Sequence, residues 1–482
     1  MNKQMFTSCF FILVFVTNIF GAMFIFPDDP IYKKLLEDMK FSKREVMQPL
    51  AMRQTNATII KVENQNTVEN MTALLNLISD SVNNFGLKIS NATDGFSNVK
   101  IISPINIAEA LMLLWLGSNG QTFNEIANVM EFQNKSFNIY NQSQTLHEQF
   151  GRMLQSLEPK NKEEPQLSTA SALFVQDGFP IGQKYSQIAK EVYRSNVTHL
   201  DFANKNVEAQ KFINAWVSNN TNGLIKEILS TPPVPTTKIL LTTALYFKGL
   251  WEHPFASELT HRAEFYLNGK ADAKNFVMVD YMVNFEVFKY TYNKDLESEV
   301  LCLPYKGGTA SMYIIAPKKS SIKKIQQVEK KLTTSVIENL INSLKPMQIG
   351  ILMPKMEFES TISLSSTLKQ LGLTSLFNVN TSSLNVLSPG FTYPNNTDQT
   401  IDEVRNKVSG KSPLYVEEVV HKVFISINEL GTEAAAITDL LIPRGGMKKI
   451  SLNQPFIFFI RHHGTNLNLF LSSVHVPVPN FK

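Results

Sequence analysis

The sequence predicts a mixed α+β fold with large, mainly antiparallel sheets. Helix-period segments come early, strand-rich runs come late, and the two do not alternate as a parallel βαβ array would. At 482 residues, 43% hydrophobic and 18% charged, the chain has the length and composition to bury a large core. No internal repeat is present.

From the N-terminus, Lys3 precedes an apolar run from Cys9 to Phe20, followed by small residues at Gly21 and Ala22. This pattern predicts a secretory signal peptide over 1–22, although Phe20 fits poorly just upstream of the cut. A membrane anchor is the competing reading, disfavoured because the run is short for a bilayer of roughly 30 Å. Residues 23–66 are aperiodic and polar and read as a flexible extension; 67–482 form the folded domain. A helix is predicted from near Thr67, with Val68, Met71, Leu75, Ile78 and Val82 on one face and a stop at Phe85-Gly86. Ser103-Pro104 opens a second helix, because proline suits a first turn. A third starts around Thr122, and a fourth runs from Val207 to Asn222-Gly223. Strands follow over 238–247, 276–279, 299–304, 310–316 and 348–354, with Asn268-Gly269 as a hairpin turn. Residues 387–413, rich in Asn, Ser, Pro and charge, read as a surface insertion.

Asn-x-Ser/Thr sequons at Asn56, Asn70, Asn91, Asn134, Asn141, Asn196, Asn219, Asn380 and Asn395 favour a glycosylated, secreted surface by their density. Cys9 falls in the expected signal, so Cys302 stands alone in the mature chain. It cannot form an internal disulfide and is read as a small core residue.

A formal charge of +4 is too small to argue for nucleic acid or an anionic membrane as a partner. Basic pairs at Lys318-Lys319, Lys323-Lys324 and Lys330-Lys331 could bind a polyanion, although a solvated helix face is the commoner role of such pairs. Catalytic signatures are missing. There is no Gly-x-Ser-x-Gly elbow and no Gly-x-Gly-x-x-Gly. Gly410-Lys411-Ser412 has Arg405 where a phosphate loop needs its leading glycine, and His147-Glu148 lacks the second histidine of a zinc helix. His462 and His463, adjacent on a predicted strand, point to opposite faces. The chain is therefore expected not to be an enzyme and to hold no metal or cofactor.

Glu429 to Asn453 is small-residue-rich in its first half, with loop formers from Pro443 to Gly446. By composition alone it is a short alanine helix followed by a loop. Asn428-Glu-Leu-Gly-Thr-Glu-Ala-Ala-Ala-Ile-Thr438, however, resembles the hinge of the serpins. Ser103-Pro-Ile-Asn-Ile-Ala-Glu-Ala-Leu111, Ile213-Asn-Ala-Trp-Val217 with Thr221-Asn-Gly223, and Ala244-Leu-Tyr-Phe-Lys-Gly-Leu-Trp251 resemble segments of the same family. So do Leu414-Tyr-Val with Val419-Val-His-Lys422, and Asn453-Gln-Pro-Phe456. They occur in family order over roughly residues 68–477.

The resemblance implies a serpin-like single domain of three β-sheets and about nine helices, with a reactive loop over 429–452. It also implies an inhibitor that traps a serine protease covalently when the loop is cut and inserts into the largest sheet, a loop insertion that is a known general case. The hinge would comprise Glu429, Gly431, Thr432, Glu433, Ala434, Ala435, Ala436 and Thr438. Period-two alternation supports insertion independently: Thr432, Ala434, Ala436, Thr438, Leu440 and Ile442 share one face, and Glu433, Ala435, Ile437, Asp439 and Leu441 the other. A slip of one residue would bury both acids, so the register is specified. Ile437 is large for the hinge, but it falls on the outward face.

Family spacing counted forward from the hinge puts Gly445 before the scissile bond; counted back from Pro455-Phe456 it puts Arg444 there. Arg444, followed by Gly445, is preferred because a trypsin-like pocket needs a long cation; Lys448 and Lys449 are weaker baits. The family's hydrogen-bonded group under the opening sheet falls on Ser103, Asn106, Thr243 and His421, with hydroxyl and amide exchanged at the middle two positions. The expected partner is thus a trypsin-like serine protease held covalently by a monomer, with no nucleic acid or membrane. A non-inhibitory carrier or chaperone of the same family is the alternative.

Overall fold

The computed structural model describes residues 53–93, 98–132, 138–195, 197–389, 400–407, 414–431 and 447–477. Contacts divide the chain into two units, residues 1–70 and 71–482. The described part of the first, 53–70, is helical and opens α1 (Arg53–Ala92). The extension expected over 23–66 is therefore helix from Arg53 onward. No glycine or proline occurs between Arg53 and Phe85, so nothing local breaks it. The segment 1–22 lies outside the described residues.

In the second unit, α1 runs through its expected stop. A Cβ on Gly86 would lie 2.4 Å from Pro104 Cγ. The glycine therefore serves close packing against the next helix rather than termination. That helix, α2 (Pro104–Leu116), is capped by Ser103 and is buried along its whole length, including Asn106 and Glu109. Next come α3 (Gly120–Val129), α4 (Ile139–Ser156), α5 (Gln183–Tyr193) and α6 (Asn206–Asn220). The last ends where Asn222 and Gly223 take positive φ, as their sequence signals. With α7 (Ile322–Lys331), α8 (Thr334–Asn342), α9 (Ser365–Gln370) and α10 (Ile401–Lys407), the described residues hold ten α-helices, close to the expected number.

Strands β1 (Val99–Ile102), β2 (Gln166–Gln176), β3 (Val197–Leu200) and β4 (Ile239–Lys248) precede the hairpin of β5 (Ala256–Tyr266) and β6 (Phe276–Asn293). The Asn268-Gly269 turn lies in this hairpin, lengthened by a 3₁₀ turn at Lys270–Asp272. Then follow β7 (Ser298–Pro304), β8 (Ala310–Pro317), β9 (Lys345–Pro354), β10 (Met356–Ser363), β11 (Val416–Ile427), β12 (Lys448–Ser451), β13 (Phe456–His462) and β14 (Leu467–Val474). One sheet is ordered β10-β11-β4-β2-β3; the other strands form a network ordered β1-β14-β13-β8-β7-β6-β9-β12, with β5 also on β6. Long β6 changes partners, from β5 and β9 along most of its length to β7 at its end, so the network has two arms. Counted separately, the arms and the five-stranded sheet are the three expected sheets. All eight residues of β14 and nine of ten in β4 are buried. Cys302 on β7 is buried, as expected of a core thiol.

The reading of 387–413 as a surface insertion requires correction over its described residues, 387–389 and 400–407. Leu387 and Ile401 are fully buried, and Asp402 and Arg405 of α10 are nearly so. Arg405 donates to Asp402 Oδ1 (2.6 Å), Ser143 Oγ (2.9 Å) and the Ser118 carbonyl (3.0 Å), with its guanidinium 4.4 Å from the Phe123 ring centre. Two of the charges that made this stretch look solvated, Asp402 and Arg405, are buried as a hydrogen-bonded set, while Glu403 between them is exposed.

Candidate functional site at the seam of the central sheet

Besides the short parallel pairing of β2 with β3 at its edge, the five-stranded sheet has one parallel join at its centre. β2 and β4 pair antiparallel, as do β10 and β11, but β4 and β11 lie side by side in parallel register, from Ile239 opposite Val416 to Phe247 opposite Ile425. Parallel neighbours far apart in sequence leave a seam, since no turn ties them together. A chain that left the end of β11 and turned back would run antiparallel to both strands. Entering the seam, it would exchange one parallel ladder for two antiparallel ones, which are somewhat more stable per residue.

His421 and Thr243 face each other across this seam. Ser103 N–H donates to His421 Nε2 at 3.0 Å, so the neutral ring carries its proton on Nδ1 and donates to Thr243 Oγ1 at 2.7 Å. The group therefore ties the cap of α2 to both seam strands. Burial pushes the His421 pKa down to about 3, so the ring is neutral and no general base at ordinary pH.

Three of the four residues expected to form this group are thus in direct contact. Asn106 meets it only through its backbone N–H, which donates to Ser103 Oγ at 3.4 Å, while its side chain turns elsewhere. Its amide donates to Ser171 Oγ on β2 at 3.0 Å, and Ser171 donates in turn to Glu109 Oε2 at 3.1 Å. Sequence reading missed Ser171 and Glu109. The available signal was a glutamate in the middle of an otherwise apolar helix.

Beyond β11 the chain makes a tight turn. Asn428 N–H donates to the Gly431 carbonyl at 2.9 Å, and the Gly431 N–H returns to Asn428 at 3.2 Å. Gly431 has φ +121°, and a Cβ there would sit 2.0 Å from the Gly249 carbonyl, so only glycine fits. The turn is docked just beyond β4: Trp251 N–H donates to the Leu430 carbonyl at 3.0 Å, and Trp251 Nε1 to Asn428 O at 3.0 Å. Glu429 accepts from Thr260 Oγ1 (2.8 Å) and pairs with Lys355 at 3.0 Å. Partial burial pushes its carboxyl up, but its own backbone N–H, Lys355 and Thr260 outweigh this and hold it below the usual range.

The rest of the expected hinge, Thr432, Glu433, Ala434, Ala435, Ala436 and Thr438, lies outside the described residues, as do Arg444 and Gly445. The loop expected to reach 452 ends earlier. Lys448–Ser451 is strand β12, paired with β9, and Lys448 is held by Glu299 at 2.8 Å. Of the histidine pair, His462 meets Thr465 Oγ1 and His463 the Gly308 carbonyl, so they share no ligand.

Comparison with known proteins decides what this frame is. The family model described as "Serpin (serine protease inhibitor)" matches residues 80–477. The chain belongs to the serpin family. This serpin is 32% identical to Intracellular coagulation inhibitor 1 of Tachypleus tridentatus over 82% of this chain and 88% of that one. Among solved structures, mouse protein-Z dependent protease inhibitor superposes with a TM-score of 0.69 at 25% identity, over 84% of this chain and 99% of that one. Human thyroxine-binding globulin complexed with its ligand gives 0.71 at 22% identity, over 84% and 100%, a likeness of fold alone. The family inhibits serine proteases through covalent complexes and is not one of enzymes.

The basic pairs of this serpin sit around α7, and several are engaged. Lys324 pairs with Glu297, Lys331 donates to the Asp295 carbonyl at 3.0 Å, and Lys318 lies 4.4 Å from the Tyr292 ring centre. Of the sequon asparagines, Asn91, Asn141, Asn219 and Asn380 are exposed; the side chains of Asn56, Asn70, Asn134, Asn196 and Asn395 lie outside the described residues. Among the described residues no helix is long and apolar enough to cross a membrane.

Proposed function

We propose that this serpin is a secreted, glycosylated, monomeric inhibitor of trypsin-like serine proteases. The protease cuts the loop after Arg444, and the freed segment from Thr432 onward enters the seam between β4 and β11. The observation that carries this reading is the seam itself: two parallel strands with a docked turn delivering the loop where they end. The alternation of small or apolar residues with Glu433 and Asp439 suits one inner and one outer face. Arg444 supplies the long cation that a trypsin-like pocket accepts. Secretion is supported by the N-terminal pattern and by the exposed sequon asparagines.

The test is incubation with trypsin followed by denaturing electrophoresis. A stable adduct is expected, with a released peptide beginning at Gly445, and Arg444→Ala should remove the reaction while leaving the fold intact. Clean cleavage without an adduct would mean the non-inhibitory reading, a carrier or chaperone, is correct. A polyanion such as heparin, bound through the basic pairs around α7, would raise the rate of adduct formation; an unchanged rate removes that partner.

A further inference from the structure

A cavity of about 420 Å³ opens between α2, α4, α5, α6 and β2, away from the turn that delivers the loop. It falls within the size range of about 300–1,000 Å³ typical of small-molecule sites. At its α2 wall the hydrogen-bond donors are already committed. The Asn106 amide is engaged by Ser171, and the Ser171 hydroxyl by Glu109 Oε2. What remains are acceptors. Asn106, fully buried, leaves its Oδ1 without any partner, and the buried Glu109 carboxyl beside it, which accepts from Ser171 and Asn106, is an acceptor only when ionised. Leu154, Tyr193 and Trp216 supply apolar and aromatic wall.

An orphaned buried carbonyl oxygen beside a buried carboxyl is costly unless a donor arrives. Anions would be repelled, and neutral alcohols could satisfy one acceptor at most through a single O–H. An ammonium group carries three donors and a charge, and aromatic faces favour a cation nearby.

We propose that this cavity binds a small organic ammonium ion with an aromatic body, its nitrogen seated between the Glu109 carboxylate and Asn106 Oδ1. Burial pushes the Glu109 carboxyl up to about 7, against the hydrogen bonds from Ser171 and Asn106 that pull it down. A cation would therefore favour the ionised form, and binding strengthens as pH rises. Tyr193 on α5 is pushed well above its ordinary value by burial and stays neutral, and Arg194 pairs with Glu158. The residues contributed by β2, α4 and α6 are uncharged.

The probe is phenethylammonium chloride, titrated into the full chain with tryptophan fluorescence and calorimetry as readouts. Saturable one-site binding is expected, weakening by about tenfold per pH unit well below 7. Glu109→Gln keeps the shape of the side chain and should weaken binding by at least about tenfold, with the melting temperature unchanged or raised. Leu154→Trp, which fills the cavity without altering the carboxyl, should abolish binding. Phenylacetate should not bind. Absence of saturable binding, equal binding of phenylacetate, or parental affinity in either variant overturns the proposal. None of these readouts involves a protease, so the outcome is separate from that of the inhibition assay.

Discussion

His421 holds the Ser103 amide on one ring nitrogen and the Thr243 hydroxyl on the other, both at full burial. Its folded pKa, about 3, lies below the unfolded value of roughly 6.5. The unfolded chain therefore takes the proton first. The contribution of the neutral ring is full above pH 6.5 and is lost as pH falls toward 3. Relative to His421→Gln, the parent should lose about 2 kcal/mol of its stability difference between pH 7 and pH 5, measured by denaturant unfolding at each pH. A difference that stays constant over this range would mean the ring titrates in the fold as it does in the unfolded chain. Ser103 and His421 were legible from their neighbouring motifs. The partner of Asn106 was not, because Ser171 is remote in sequence and only the packing of β2 on α2 brings it within reach.

Single elements differ in how openly their sequence declares them. β4 is a mostly apolar, β-rich run broken only by Thr242 and Thr243 before its terminal Lys248, and it is read within a residue of its bounds. By contrast α4 buries Ser143, His147 and Gln149 beside Leu146, Phe150 and Met153, which dilutes the apolar period. In α10 the effect is complete: charge and short length hide a helix that the body of the domain encloses. Removing one member of its buried pair should therefore be expensive. Arg405→Ala leaves Asp402 uncompensated and should cost about 3–5 kcal/mol by denaturant unfolding, whereas replacing Arg405 and Asp402 together by Leu should restore much of that loss. A near-neutral single variant would show that water reaches the site.

At the scale of the molecule, the parallel join of β4 and β11 makes the intact fold one step short of a fully antiparallel centre. About ten added ladder hydrogen bonds, at a net ~0.5–1.5 kcal/mol each, make insertion downhill once the loop is cut. The nicked protein should therefore melt well above the intact one by calorimetry. Thr432→Arg, which puts a charge on the inward face, should remove both that gain and adduct formation. A nicked parent that melts no higher than the intact protein would sink loop insertion. The sequence by itself determined the mixed α+β class, helices α1, α2, α3 and α6, strand β4, the alternation in the hinge and the cap at Ser103, because each rests on a local pattern of side-chain period or backbone conformation. Only the tertiary structure decided the parallel seam, the enclosure of Arg405, the continuation of α1 past Gly86 and the pairing of Asn106 with Ser171. Each of these depends on which distant segments share a wall, and burial sets the energy of a polar group only after that wall exists.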